Sequence, residues 1–233
     1  CRWNGTAAAQ ATPTPSGGLD SFRDRARIGE GALKDIGFIT SGDGAQLQCY
    51  RDYQAYLDAE LYLRTLDKVD LTGFRAIVVP DFSNQDLLRR HARQLNDYLA
   101  GGGFLIVFEP NRMDEWLDVV EVQWFSRETE DWKWWMRPGG RMEAYQPRPE
   151  HSMARAIPLA DMCWHFFGAF RLPPTATPIL NLDNDEGCLL YDQAVAGGGR
   201  LIASTIDPHT HHGRRFMSAT TRFLNGFYPW LKR

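Results

Sequence analysis

Three near-continuous apolar runs constrain this chain most: Phe74-Arg75-Ala76-Ile77-Val78-Val79, Phe104-Leu105-Ile106-Val107-Phe108 and Leu201-Ile202-Ala203-Ser204-Thr205. A strand that is apolar on both faces must be covered on both, the condition of a parallel sheet flanked by helices. The intervening sequence supplies such helices. After Asp35-Ile36-Gly37-Phe38-Ile39-Thr40 and the tight loop Ser41-Gly42-Asp43-Gly44, the residues Leu47, Tyr50, Gln54, Leu57 and Leu61 recur at helical spacing. Leu61 to Leu66 reads as a second strand. Ser83 with Asp86 has the form of a capping box, opening a helix that turns Leu88, Ala92, Leu95 and Leu99 inward and stops at Gly101-Gly102-Gly103. Thr177 to Leu182 and Gly187 to Tyr191 read as a strand pair. Phe216, Ala219, Thr220, Phe223, Leu224 and Phe227 then stripe a closing helix that Pro229 is expected to end. The expectation is an α/β fold with a doubly wound, mostly parallel sheet.

With 233 residues and 43% hydrophobic content, residues 31–233 are expected to form one domain behind a flexible tail over residues 1–30. From about residue 111 to 174 the strand–helix rhythm breaks. That stretch holds Trp116, Trp124, Trp132, Trp134, Trp135 and Trp164 without a helical stripe, predicting an irregular insertion with short antiparallel strands. Its tryptophans serve either core packing or a sugar-stacking platform. A net charge of -3, with no long run of like charge, argues against nucleic-acid binding. No apolar stretch approaches the roughly 18 residues of a membrane-spanning helix. Cys1 ahead of the low-complexity Thr6 to Gly18 leaves several readings open. It matches an acylated lipoprotein cysteine with its tether, which would place the chain at a bacterial cell envelope. It also matches a fragment boundary of an otherwise cytoplasmic protein, and less well a catalytic N-terminal nucleophile, which should open a strand. Cys49, Cys163 and Cys188 lack metal-type spacing and read as buried thiols, with any disulfide requiring an oxidising compartment, so the state of Cys163 and Cys188 stays open.

The chemistry concentrates in Ile206-Asp207-Pro208-His209-Thr210-His211-His212-Gly213, directly after the last apolar run. Loops at the carboxyl ends of parallel strands converge on a ligand crevice, so Asp43, Asp81, Glu109, Asp207 and His209 are expected to approach one another. Carboxylates and imidazoles suit zinc, manganese or iron. One expectation is therefore a divalent-metal hydrolase in which Asp207 and His209, with His211 or His165, bind the ion and Glu109 acts as general base. The competing expectation is that Asp207 caps a helix or turn and the histidines are solvated. His165, within Trp164-His165-Phe166-Phe167, is expected either to face the same crevice as His209 or to pack against the backbone. Gly42-Asp43-Gly44 makes only a weak phosphate cradle, because Asp43 would repel an anion.

The order Leu66-Asp67-Lys68-Val69-Asp70-Leu71 before Phe74 to Asp81, then Tyr98-Leu99-Ala100-Gly101-Gly102-Gly103 before Phe104 to Glu109, resembles the class I glutamine amidotransferase-like fold. It is more similar to its divergent branches, the ThuA-like proteins and the trimerisation domain of certain β-galactosidases. There a segment like Gly197-Gly198-Gly199-Arg200-Leu201-Ile202-Ala203-Ser204-Thr205 also precedes a late polar loop. The resemblance spans residues 33 to 231 and implies a flavodoxin-like sheet. It implies that a cysteine nucleophile should stand at the turn occupied here by Glu109-Pro110-Asn111-Arg112, with His209 near the family's catalytic histidine. The absent cysteine argues against glutaminase chemistry. The resemblance thus leads to a small-ligand module, with a carbohydrate as ligand and Asp43, Asp81, Arg112 and His165 lining the site, or to a homo-oligomeric assembly domain. The alternative is the hydrolase built on Asp207, His209 and Glu109.

Overall fold

A computed structural model describes residues 34–127, 142, 144–183 and 186–233, all within the unit Leu33–Arg233. The predicted tail, and Trp132, Trp134 and Trp135 of the insertion, lie outside the described residues. The ten strands are β1 (Lys34–Thr40), β2 (Ala59–Tyr62), β3 (Phe74–Val79), β4 (Phe104–Phe108), β5 (Gln123–Phe125), β6 (Ala144–Tyr145), β7 (Ala169–Arg171), β8 (Ala176–Leu182), β9 (Cys188–Val195) and β10 (Gly199–Ser204). The helices are α1 (Gly44–Tyr53), α2 (Gln85–Arg90), α3 (Ala92–Ala100), α4 (Ser152–Ala156), α5 (Pro208–Gly213) and α6 (Ser218–Leu231). Together they form a mixed α/β fold around one sheet.

Half of that sheet is parallel, in the order β2-β1-β3-β4-β10. These strands include the three apolar runs, and successive residues alternate between two cores as a strand's period of two requires. On one face Ile36, Phe38, Val78, Ile106, Phe108 and Ile202 pack with Cys49 and Tyr53 of α1 and with Phe223, Leu224 and Phe227 of α6. On the other, Ile39, Ile77, Val79, Leu105, Val107 and Leu201 pack with Leu88, Leu95 and Leu99 of α2 and α3. Beyond β10 the sheet continues antiparallel through β9, with β7 and β5 following and β8 and β6 joining alongside. The predicted strand pair 177–182 and 187–191 is β8 and β9, and β5, β6 and β7 are the short antiparallel strands expected in the insertion. Trp116 and Trp164 are buried core residues. The described thiols Cys49, Cys163 and Cys188 are all free, and no described helix is long and apolar enough to cross a membrane.

Several element boundaries differ from the sequence expectation for physical reasons. The first helical stripe runs too far, since α1 stops at Tyr53, Leu57 is buried beyond its end, and Leu61 points inward from β2. Leu63 to Lys68 forms 3-10 turns rather than the continuation of a strand. The helix over residues 83–99 breaks at His91 into α2 and α3. Its N-cap is Asn84, whose side chain accepts from Leu87 N at 3.0 Å, while Ser83 Oγ donates to Pro80 O instead. The left-handed residue after α3 is Gly102, with φ of 94°. Pro229 does not end α6: it gives up one backbone hydrogen bond in the last turn, and the anchored Trp230 keeps the chain helical beyond it. The Trp230 indole donates to Ser152 Oγ at 2.9 Å, and Arg200 stacks on it and on Phe104 while holding Asp192 at 2.6 Å.

The Tyr98 hydroxyl joins α3 to the lower edge of the sheet. It accepts from Phe104 N at 3.1 Å and lies 3.1 Å from Arg75 O and 3.2 Å from Phe74 O, either of which can receive its proton. Tyr98→Phe is therefore expected to leave Phe104 N unpaired and to lower stability by about 1–2 kcal/mol, read from the midpoint of urea unfolding at unchanged slope.

Candidate functional site

The carboxyl ends of the parallel strands carry three buried carboxylates, and each meets a different set of donors. Asp81 follows β3 and is fully buried. Its carboxylate accepts from His209 N at 2.8 Å and Thr210 N at 2.9 Å, the first-turn donors of α5, and from His209 Nδ1 at 2.9 Å. Asp81 thus caps a helix 127 residues downstream of it. Asp207, the residue at the N-cap position itself, makes no capping bond, which corrects the expectation that it would. Pro208 at the first helical position needs no acceptor. The backbone carbonyl of Asp81 accepts from Gln46 Nε2 at 3.0 Å, and Gln46 Oε1 accepts from Ser41 N at 2.9 Å, so the loop after β1 is tied to the same point. Helix α5 lies so close to α1 that a Cβ on Gly213 would sit 2.1 Å from Ala45 O.

His209 is consequently a core residue. Its ring is fully buried against Phe108, Phe38 and Tyr228, with centroids 4.7, 5.5 and 6.3 Å away. Burial pushes the Asp81 carboxyl upward, but the His209 hydrogen bond and charge together with Thr210 outweigh it, so the group is held below the usual carboxylate value.

Glu109, after β4, is also buried, and it serves its own turn. Its carboxylate accepts from the backbone N–H of Asn111, from Arg112 N at 2.7 Å and from Met113 N at 3.0 Å, with Arg112 in the left-handed region at φ of 47°. Burial pushes Glu109 up to about 7 against the pull of those three donors. The proposed general base therefore has no histidine partner. Arg112 pairs with Asp114 and Glu115 and lies over the Trp124 ring, and exposed Asp43 caps α1 by accepting from Ala45 N at 2.9 Å. Neither Arg112 nor Asp43 is shown lining the crevice proposed for it.

Asp207 is the one of the three whose partners reach solvent. It is fully buried, while His211 Nδ1 lies 2.9 Å and His165 Nδ1 3.4 Å from the same Oδ2, their side chains 19% and 30% exposed. His211 Nδ1 also lies 3.1 Å from the Asp207 backbone carbonyl, and because a carbonyl or a carboxylate only accepts, both imidazoles carry hydrogen on Nδ1. Burial lowers the His211 pKa, but the hydrogen bond and charge of Asp207, aided by Asp81, raise it overall. His165 thus faces Asp207 and not His209. Asp207, His209 and His211 do not assemble as a ligand set, and among the described residues no group of three His, Cys, Asp or Glu side chains has metal-binding geometry.

The two imidazoles are the centre of a continuous arc of rings that the sequence did not reveal. Phe82 meets Phe167 edge-on at 5.2 Å, Phe167 meets His165 at 4.4 Å, His165 lies 6.2 Å from His211, and His211 stacks on Phe216 at 5.4 Å. The ends of the arc are among the few exposed large apolar side chains, Phe82 at 45% and Phe216 at 59%. Phe82 also holds a φ of 57°, strained for an aromatic residue. The apolar stripe in the sequence puts Phe216 at the inward start of the closing helix, but α6 begins only at Ser218. The sequence signal that could have found the arc is the run Trp164 to Phe170 beside a histidine-rich turn.

No family model matches this chain, and no curated protein matches it either. Among solved structures it is similar to the exo-beta-1,4-mannosidase Op5Man5 from Opitutaceae bacterium strain TAV5, with a TM-score of 0.50 and 11% identity. The match covers 85% of this chain and 35% of that one, so the chain spans about a third of the mannosidase and shares its fold there.

Asp81 and Glu109 should leave opposite marks on stability. A folded pKa below 3.8 means that the Asp81 contribution is complete above that value and is lost as pH falls through the folded pKa. Asp81→Asn is expected to cost about 3 kcal/mol near neutral pH and to flatten the acid limb of a denaturation series. Glu109 titrates near 7 when folded against 4.5 ordinarily, so its contribution is full below 4.5 and declines as pH rises through about 7. Glu109→Gln should remove that decline, as urea midpoints between those two pH values would report.

Proposed function

We propose that this chain is a non-amidotransferase member of the class I glutamine amidotransferase-like fold that binds a small polyhydroxylated ligand, a carbohydrate, on the aromatic arc over Asp207. The parallel order β2-β1-β3-β4-β10 supports a flavodoxin-like doubly wound reading, in which ligands bind outside the carboxyl ends of the strands. The turn after β4 supports the loss of glutaminase chemistry. Glu109 there spends its carboxylate on three backbone N–H groups, and no cysteine stands beside it.

The observation that carries the reading is the arc itself. The exposed side chains of Phe82 and Phe216 offer apolar contact to a sugar ring, and imidazoles fixed from beneath by Asp207 offer hydrogen bonds to its hydroxyls. Similarity to part of a chain named as a mannosidase agrees with a sugar ligand. A glycan array followed by saturation-transfer NMR on the best glycan tests this. Phe216→Ala and His165→Ala are each expected to weaken binding at least about tenfold, the equivalent of roughly 1.4 kcal/mol. An array without a bound glycan, or binding indifferent to both substitutions, would sink the reading; in the first case, light scattering that shows an oligomer would favour the assembly role instead.

A further inference from the structure

The arrangement over Asp207 has more order than binding requires. His165 Nδ1 faces the Asp207 carboxylate, and His211 Nδ1 faces both that carboxylate and the Asp207 backbone carbonyl at 3.1 Å; these acceptors fix both tautomers and leave each Nε2 on the far side of its ring. Among the described residues neither Nε2 has a protein hydrogen-bond partner, and no serine, cysteine or lysine is hydrogen-bonded to either ring. A nucleophile–base pair is therefore not what these residues form. What they form is two imidazoles held by one carboxylate with ring centroids 6.2 Å apart, a pair that one small ligand can span. His211 is the closer to Asp207, at 2.9 Å against 3.4 Å for His165, and Asp207 and Asp81 raise its affinity for a proton, which suits it to hold a second one.

We propose that His165 and His211 are an acid–base pair that isomerises an α-hydroxycarbonyl sugar by proton transfer through an enediol. The inference rests on the carbohydrate reading of the same arc and adds chemistry to it. His165 Nε2 takes the proton from the carbon that bears the hydroxyl, and the electron pair of that C–H bond becomes the carbon–carbon double bond. The carbonyl π pair moves onto its oxygen, which takes the Nε2 proton of His211. In the second half His165 returns its proton to the former carbonyl carbon while His211 recovers one from the other hydroxyl, and a new carbonyl forms. Both histidines end as they began. The reaction is redox-neutral and consumes neither water nor a co-reactant. Asp207 is a positioning residue: it holds both rings and balances the positive charge on whichever is protonated.

The test is hydrogen exchange in D2O. The full chain is incubated with D-glucose, D-mannose and D-fructose, which share one enediol. Proton NMR then follows deuterium entry at the carbon next to the carbonyl and any interconversion, while saturation transfer reports binding. The wild type is expected to exchange faster than the same concentration of free imidazole. His165→Ala and His211→Ala should each lower the rate about 100-fold or more while changing sugar binding less than the rate, and Asp207→Asn should do likewise. Circular dichroism checks folding, and His165→Gln or His211→Gln replaces an alanine variant that fails it. Sugar binding without exchange above the imidazole control overturns the proposal and leaves the binding reading intact. Exchange that survives both histidine substitutions overturns it as well, and failure of every sugar to bind removes the proposal together with the reading beneath it.

Discussion

The buried charge of Asp81 is the constraint on which the carboxyl edge of the sheet depends. A carboxylate taken out of water costs several kcal/mol unless donors replace its hydration. Here one helical turn supplies them, through the N–H groups of His209 and Thr210 and the His209 ring. The same bonds satisfy donors that α5 could not pair internally. The first turn of α5 is thereby tied to the end of β3, and close approach to α1 at Gly213 restricts its other end. With α5 set in that way, Asp207 stands just before its first turn and His211 lies four residues on, the spacing at which a helix brings two side chains together.

Three carboxylates of similar sequence context acquire three roles from their surroundings. Asp81 faces the first turn of α5, Glu109 faces its own turn, and Asp207 faces two rings that open to solvent. Burial raises Glu109 to about 7 against the pull of its three N–H donors, whereas at Asp81 the His209 hydrogen bond and charge, with Thr210, outweigh burial and lower the group. Of the three, Asp207 alone orients groups that a ligand can reach.

Much of the fold was legible because its signals are local. The apolar runs at Phe74, Phe104 and Leu201 are strands, Gly102 ends α3 as the triple glycine implied, and the spacing of Phe223, Leu224 and Phe227 is that of α6. Errors arose where a tertiary contact outweighed a local signal. Leu57 and Leu61 keep the helical stripe in sequence, yet they are buried from a loop and a strand. Pro229 stays within α6 because Trp230 is packed against Phe104 and Phe227 and bonded to Ser152. The site was harder to read. Its residue types were visible in Asp207, His211 and His165, but their pairing was not, since 42 residues separate His165 from Asp207 and 128 separate Asp81 from His209. Phe82 and Phe216 carried no signal, because exposure is a property of the whole surface.

By itself the sequence determined the alternation of strands and helices, the place of the polar loops after the strands, and the absence of a nucleophilic cysteine at the turn after β4. Each follows from periodicity or residue identity within a short window. The tertiary structure alone decided which carboxylate meets which histidine, placing His209 in the core with Asp81 and leaving His211 and His165 partly exposed above the buried Asp207. Those pairings depend on how the ends of β3, β4 and β10 and the turn of α5 lie against one another, and no local pattern encodes distances between segments joined only through the sheet.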